Sequence, residues 1–253
     1  MPDGTPPMKS VLRAFDVLDV LWETNGAGPS AVAAQMDVPK STAHVYLRTL
    51  QETGYVVNEG GEYRLSHRFL SMGSRIKHRN NLFQVSEPKL RELATETGEL
   101  VTLVVEEAGQ SVILHKESGE RSLELGIYSG MIIPLHSNAT GKAILAHLPD
   151  DRIETIVDTH GLERLTAETI TDRKVLYAEL EAVRERGYAV DWDQQVKGMG
   201  LIGAPIEIDD RLQGAVGVAC PTGRMKDETY QNELLQRLQG TIDSITIKYR
   251  YGT

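Results

Sequence analysis

Residues 29–52 read PSAVAAQMDVPKSTAHVYLRTLQE, and the break in the middle of this stretch decides the fold of the N-terminal third. Pro29 opens a short helix to Met36 that carries Val32, Ala33 and Met36. The sequence Asp37-Val38-Pro39 stops it, because a residue before proline is pushed out of the helical region. A second helix starts near Lys40-Ser41-Thr42, runs through Leu50 to about Glu52 and stops at Gly54. Upstream, Ser10 is placed to cap a helix to about Thr24, with Val11, Phe15, Leu18 and the pair Leu21-Trp22 at helical spacing, ended by Asn25-Gly26. Downstream, Tyr55-Val56-Val57 and Glu62-Tyr63-Arg64-Leu65 are short strands joined by the turn Asn58-Glu59-Gly60-Gly61. The order helix, helix, tight turn, helix, hairpin predicts a winged helix-turn-helix over residues 8–66.

In such a unit the second helix of the pair enters the DNA major groove by its N-terminal end while the first braces on the phosphate backbone. Here that end supplies Lys40, Ser41, Thr42 and His44, with Arg48 one turn on. Hydroxyls and free amides at a helix start suit phosphate oxygens, and Lys, His or Arg can donate to base edges. Val45, Leu47 and Leu50 are expected to face the core. Arg64 on the wing is placed to reach a minor groove or a flanking phosphate, and Arg68, Arg75, Lys77 and Arg79 stand at the edge of the site.

Charge counts agree with a local phosphate-facing surface. The 253 residues hold 27 Lys plus Arg against 36 Asp plus Glu, a formal charge of -9, which alone argues against a nucleic-acid partner. Residues 40–79, however, hold 7 basic and 3 acidic side chains. An acidic chain with its cations concentrated in one early segment can still present a DNA-binding face.

Beyond the hairpin, Arg68 to Lys77 reads as a connecting helix and Leu82 to Thr97 as another, ended by Gly98; a linker region over 67–83 precedes a second domain over 84–250. That domain is mixed α/β. Val101 to Glu106 and Ser111 to Lys116 form a hairpin, with further strands at Tyr188 to Asp191, Ala204 to Ile208 and Gln213 to Ala219. Helices are expected at Gly141 to His147, Asp150 to Asp158, Asp172 to Arg186 and Asp227 to about Ile247. One cysteine, Cys220, excludes an intrachain disulfide and points to a reducing compartment. Met1 to Met8 lacks a basic segment followed by an apolar run, and no 18 consecutive residues are apolar, so the expectation is a soluble cytoplasmic protein without a membrane partner.

Several stretches, in order along nearly the whole chain, resemble the isocitrate lyase regulator (IclR) family of transcription factors. Lys9-Ser10-Val11-Leu12-Arg13-Ala14 and Val38-Pro39-Lys40-Ser41-Thr42-Ala43-His44 look like its winged helix-turn-helix. Pro134-Leu135-His136-Ser137-Asn138-Ala139-Thr140-Gly141-Lys142-Ala143 looks like its effector-pocket signature. Gly161 to Thr166, Arg184 to Ala189 and Ala204-Pro205-Ile206 look like later segments. The resemblance implies a two-domain α+β protein: a DNA-binding head, a linker helix and a C-terminal GAF-like domain that binds a small metabolite, commonly an organic, sugar-derived or aromatic acid. It also implies homodimers through heads and linker helices, often paired into tetramers, and a near-palindromic double-stranded operator.

Asn138 to Gly141 precedes a helix start, which offers unpaired amides and partial positive charge to a carboxylate. The resemblance places Asn138, Ala139, Thr140 and Gly141 along the ligand cavity. Asp191, Asp193 and the stretch Met199-Gly200-Leu201-Ile202, read as a glycine-rich loop, would form the opposite wall. Many family members carry cysteine where this chain has Leu201, serines where it has Gly217 and Ala219, and an acid at Lys197. A wall stripped of those polar groups predicts a ligand with one carboxylate end and a less polar body, in a cavity enlarged at Gly217 and Ala219.

No metal or cofactor is expected, since Asp191 and Asp193 read as solvated loop acids. Nor is catalysis. His115, His136, His147 and His160 fall in no HxxxH or HExxH pattern, no GxSxG is present, and Cys220 beside Pro221 reads as packed. The expected function is ligand-responsive regulation of a catabolic or central-metabolic operon. An adaptor that docks proteins through the same small head without binding DNA is the alternative that spacing alone leaves open.

Overall fold

The computed structural model describes residues 6–252; Met1 to Thr5, part of the stretch read above for a leader, and Thr253 lie outside the described residues. The chain divides into two compact units, residues 1–76 and 77–253.

In the first unit, α1 (Lys9–Glu23), α2 (Pro29–Gln35) and α3 (Lys40–Glu52) are followed by the antiparallel hairpin β1 (Val56–Glu59) and β2 (Glu62–Leu65). Its core joins Val17, Val20 and Leu21 of α1 to Val32 and Ala33 of α2, Ala43 and Leu47 of α3, and Val56 and Tyr63 of the hairpin. An added bridge between Ala27 and Tyr63 ties the α1–α2 connection to the wing. Helix α4 (Arg68–Arg79) leaves the hairpin with its start fixed: Arg68 donates to the Thr53 carbonyl at 2.6 Å and lies over the Tyr55 ring, and Ser66 donates to the Gly54 carbonyl at 2.7 Å.

Three expectations change here. Ser10 lies inside α1 rather than at its cap, which is Met8 without a side-chain bond. The buried face of α1 is Val17, Val20 and Leu21, so Val11 and Phe15, expected at the helical repeat, fall on another face with Met8 and Leu12 and are exposed. Val45 is 63% exposed, because Ala43 and Leu47, one turn apart, take the core side and leave position 45 on the far side of the helix.

The second unit is a six-stranded antiparallel sheet in the order β5-β4-β3-β8-β7-β6. Its strands are β3 (Leu100–Glu107), β4 (Gln110–Ser118), β5 (Ile132–Pro134), β6 (Ala189–Trp192), β7 (Met199–Ile208) and β8 (Arg211–Pro221). Both faces are covered, so β3 and β8 are apolar without alternation while their side chains still go to opposite cores. On one face Val101 and Leu103 pack with α5 (Asn81–Thr97) and α10 (Glu228–Tyr251). On the other, Leu100 and Val104 pack with α6 (Ala139–Ala146), α7 (Asp150–His160) and α8 (Arg173–Arg186). Caps fix the helix ends: Asn80, Asn138, Asp172 and Asp227 each accept from an amide of the following first turn. The stretch Met199 to Ile202 is the first half of β7 and not a loop, paired with β8 from Met199↔Pro221 onward. A four-residue helix, α9 (Thr222–Met225), turns the end of β8 toward α10. No helix among the described residues is long and apolar enough to cross a membrane.

Candidate nucleic-acid interface and ligand cavity

On α3 the side chains opposite the core are Lys40, Ser41, His44, Val45 and Arg48, all exposed, with Thr42 half-buried. One helix start therefore presents a cation, two hydroxyls, an imidazole and a guanidinium within two turns. Pro39 caps α3 without a side-chain bond, so its first amides remain available to an anion. Arg48 pairs with Glu52 at 3.0 Å, and Arg64 with Glu62 at 2.9 Å and Glu59 at 3.6 Å. These are exposed pairs, worth little in water, and a phosphate or guanine can compete for either guanidinium. The wing turn is built for close approach: Gly60 and Gly61 hold positive φ and Asn58 accepts from the Gly61 amide at 2.9 Å. Of the flanking cations, Arg68 is engaged with Thr53 and Tyr55.

In the second unit a narrow cavity of about 20 Å³, room for about one water, lies between the sheet and the start of α6. Leu100, Val104, Ile113, Met199, Leu201 and Ala219 supply an apolar surface. Polarity comes from Thr102, Ser111, Asn138, Thr140 and Gln195, and among the described residues no charged side chain lines it. Asn138 Oδ1 accepts from both the Gly141 amide at 2.9 Å and the Thr140 hydroxyl at 2.8 Å, fixing the helix start. The positive field at this end is that of the α6 N-terminus.

The expected wall residues divide. Asn138, Thr140, Leu201 and Ala219 line the cavity, whereas Ala139, Gly141, Asp191, Asp193 and Gly217 do not. Gly141 is a packing glycine: a Cβ there would lie 2.1 Å from the Leu135 carbonyl oxygen. Gly217 does not enlarge the cavity, since a Cβ would meet the Thr140 methyl at 2.5 Å and Leu201 Cδ1 at 3.0 Å, so Thr140 and Leu201 already fill that space.

Asp191 and Asp193 shape a loop instead of facing a ligand. Asp191 is fully buried, accepts from the Gln194 amide at 2.6 Å and leaves Oδ2 unpartnered among the described residues; burial pushes its carboxyl up to about 7. Asp193 has φ 65° and accepts from the Thr222 hydroxyl at 2.7 Å and the Gly198 amide at 2.6 Å, the former chiefly holding its carboxyl below the usual range. The loop between them and β7 carries Gln195 to the cavity, and Thr166 and Thr169 anchor it by donating to the carbonyls of Asp193 and Gln194. Sequence reasoning missed Thr102, Ser111 and Gln195; alternation along β3 and β4 places the first two on the inner face, but only strand register aligns them with α6.

Next to the cavity, Lys142 is fully buried. Its Nζ donates to the Val190 carbonyl at 2.7 Å and to Glu179 at 3.2 Å, and burial lowers its pKa. Burial likewise lifts the Cys220 thiol to about 12, consistent with a packed side chain. Glu87, His115 and Glu117 bring potential metal-ligand atoms within 4.8 Å of one another. Those groups are engaged by cations: Arg91 reaches Glu87 at 2.8 Å and Glu117 at 3.6 Å, and Lys77 Nζ lies 2.7 Å from His115 Nδ1.

Comparison with known proteins covers both units. The IclR helix-turn-helix domain model matches residues 10–60, and the model of the bacterial transcriptional regulator IclR C-terminal domain matches residues 75–247. The HTH-type transcriptional regulator KdgR of Escherichia coli K12 is 30% identical over 229 residues, 88% of this chain and 86% of KdgR. The crystal structure of IclR from Thermotoga maritima superposes with a TM-score of 0.77 at 28% identity, covering 97% of this chain and all of that one. An IclR homologue from Microbacterium hydrocarbonoxydans, complexed with 4-hydroxybenzoate, shares the fold with a TM-score of 0.80 at 20% identity, covering 95% of this chain and 98% of that one.

Proposed function

The chain belongs to the IclR family of bacterial transcriptional regulators, with a helix-turn-helix DNA-binding domain and a C-terminal effector-binding domain, and on that footing we propose its finer role. It regulates a catabolic or central-metabolic operon in the cytoplasm, reading a near-palindromic operator as a homodimer and responding to a small organic or aromatic acid. Its relatives are named as regulators of transcription, not as enzymes.

The observation that carries the DNA-reading part is the outer face of α3. Lys40, Ser41 and Thr42 at the helix start would hold phosphates, His44 and Arg48 would donate to base edges, and Arg64 would contact the backbone from the wing. Exposed Val45 adds an apolar group able to meet a thymine methyl. Dimerisation through the heads is supported by uncovered apolar side chains on two elements: Val11, Leu12 and Phe15 of α1, and Leu70 and Ile76 of α4. The effector would sit at Asn138, Thr140, Leu201 and Ala219 with its carboxylate toward the α6 start; Asp191 and Asp193 would support the wall from behind. An acid held there and an operator held by α3 each favour one arrangement of the dimer, and a differential affinity of about 1–3 kcal/mol would change operator affinity roughly 5–150-fold.

Genome-wide recovery of fragments bound by the tagged protein tests this. A sharp set of sites sharing a palindrome beside metabolic genes is expected. Recovery at background level by folded, assembled protein, with and without candidate acids, would refute it.

A further inference from the structure

Resting on the reading of this cavity as the effector site, we propose that residues 123–127 form its gate. They make a strap over the cavity that lifts to admit any effector, with Ile127 as the side chain that closes it. Space requires a moving wall: the cavity holds about one water, so even a two-carbon acid cannot enter it as it stands. Most of the lining stands on β3, β4, β7 and β8, which are hydrogen-bonded to their neighbours within the sheet. Asn138 pins the α6 start, Thr166 and Thr169 pin the loop that carries Gln195, and Ile133 belongs to β5, paired with β4. Among the described residues that leaves Ile127 as the lining residue on a segment outside all of these.

The strap is held by side chains. Its two ends are fixed: the Arg121 amide donates to the Gly98 carbonyl at 2.7 Å, and the Gly130 amide to the Ile113 carbonyl at 2.7 Å. Between them, among the described residues, no amide or carbonyl of residues 123–127 bonds to another backbone group. Leu123, Leu125 and Ile127 alternate inward onto the core that encloses the cavity, while Glu124, Gly126 and Tyr128 are exposed. Lifting this backbone breaks no backbone hydrogen bond, so opening costs chiefly the burial of three apolar side chains, two of them half-buried in the closed strap. Segments held in this way open locally, at far lower cost than the fold as a whole. Gly126 has φ 66° and Gly130 φ 91°, and no atom lies within 4 Å of a Cβ added at either. Glycine there serves the backbone conformation of the closed strap, not its packing.

The test is alkylation of a thiol placed on the cavity wall. Ser111 lines the cavity, is 1% exposed, and stands on β4, which cannot move without breaking the sheet. Ser111→Cys exchanges an unpaired buried hydroxyl for a thiol of similar size and keeps the fold. Cys220, fully buried and outside the cavity lining, is the internal control. The full-length variant is treated with iodoacetamide, and each cysteine is followed by peptide mass spectrometry across sub-denaturing urea. The thiol at position 111 is expected to react at least about 10-fold faster than Cys220, at a rate flat in urea, because strap opening exposes far less surface than unfolding. Gly126→Ala strains the closed strap and should raise that rate about 3–10-fold, whereas Gly126→Asn, which tolerates positive φ, should raise it less. Reaction at position 111 no faster than at Cys220, with both rates rising together in urea, overturns the proposal, since the cavity then opens by unfolding. A fast reaction that is the same with glycine, alanine or asparagine at position 126 also overturns it, since another wall then moves. The effector-site reading fails separately, if Asn138→Ala keeps an acid's effect on operator binding.

Discussion

Asp191→Asn should stabilise the C-terminal domain at pH 8 and do little near pH 4. The wild-type carboxyl is fully buried and titrates at about 7, against about 3.9 in an unfolded chain. An acid whose folded pKa is raised binds its proton more tightly in the native state. Its contribution is therefore whole below pH about 4 and is lost as pH rises through about 7. Three pKa units at about 1.4 kcal/mol each set a ceiling of roughly 4 kcal/mol. Asparagine keeps an oxygen for the Gln194 amide but removes a negative charge that favours the Lys142 ammonium, so the net gain at pH 8 is about 2–3 kcal/mol. The two tryptophans lie one in each unit, so urea unfolding in a Trp22→Phe background, followed by Trp192 fluorescence, isolates the relevant domain. A stability difference between the wild type and the Asp191→Asn variant that is constant from pH 5 to 8, or destabilisation by the substitution at pH 8, would refute a buried, high-pKa carboxyl.

Further outcomes are equally specific. Lys40→Ala should weaken operator binding across sequences and reduce the salt slope by about one, whereas Arg48→Ala should cost about 1–3 kcal/mol and relax preference at one base pair, both read by anisotropy titrations. Gly217→Ala should cost about 1–3 kcal/mol, because the added carbon meets the Thr140 methyl at 2.5 Å; adding Thr140→Ser should recover most of it in urea unfolding. Glu179→Ala leaves the Lys142 ammonium buried on one carbonyl and should destabilise the domain by about 3–5 kcal/mol, while Lys142→Met in the same background should restore it. Phe15→Glu together with Ile76→Glu should shift the protein toward monomers in sedimentation velocity, with the circular dichroism unchanged.

Much of this was legible where local chemistry settles the backbone. Pro29, Pro39 and Gly54 bound the helix pair, Gly98 and Gly187 end helices in the left-handed region, and the Asn58–Gly61 turn sets the wing. Side-chain direction was less legible where two apolar stripes share one helix. On α1, Val11 and Phe15 repeat as regularly as Val17 and Leu21, and only packing distinguishes the core stripe from the exposed one. On α3, valine at 45 reads as core by residue type and as surface by position. The start of β7 was hidden because Gly198 and Gly200 bracket Met199 like a turn, although Gly200 is there to admit the Met225 side chain, whose Cβ would lie 2.4 Å from an added carbon. Asp191 and Asp193 read as solvated cavity-wall acids for want of any sign that they hold their own loop. Ser111 carries no motif, and its place at the cavity depends on the register that joins β4 to β3 and β5.

On the proposed function, one small acid in the second domain changes how tightly α3 holds its operator. The direct measurement is the affinity of the full-length protein for a recovered operator duplex, titrated by anisotropy at fixed salt with and without saturating acid, in wild type and in Asn138→Ala. An acid-induced change of roughly 5–150-fold is expected in the wild type, in either direction, and none in the variant. An acid that binds the wild-type protein yet leaves operator affinity unchanged would contradict it.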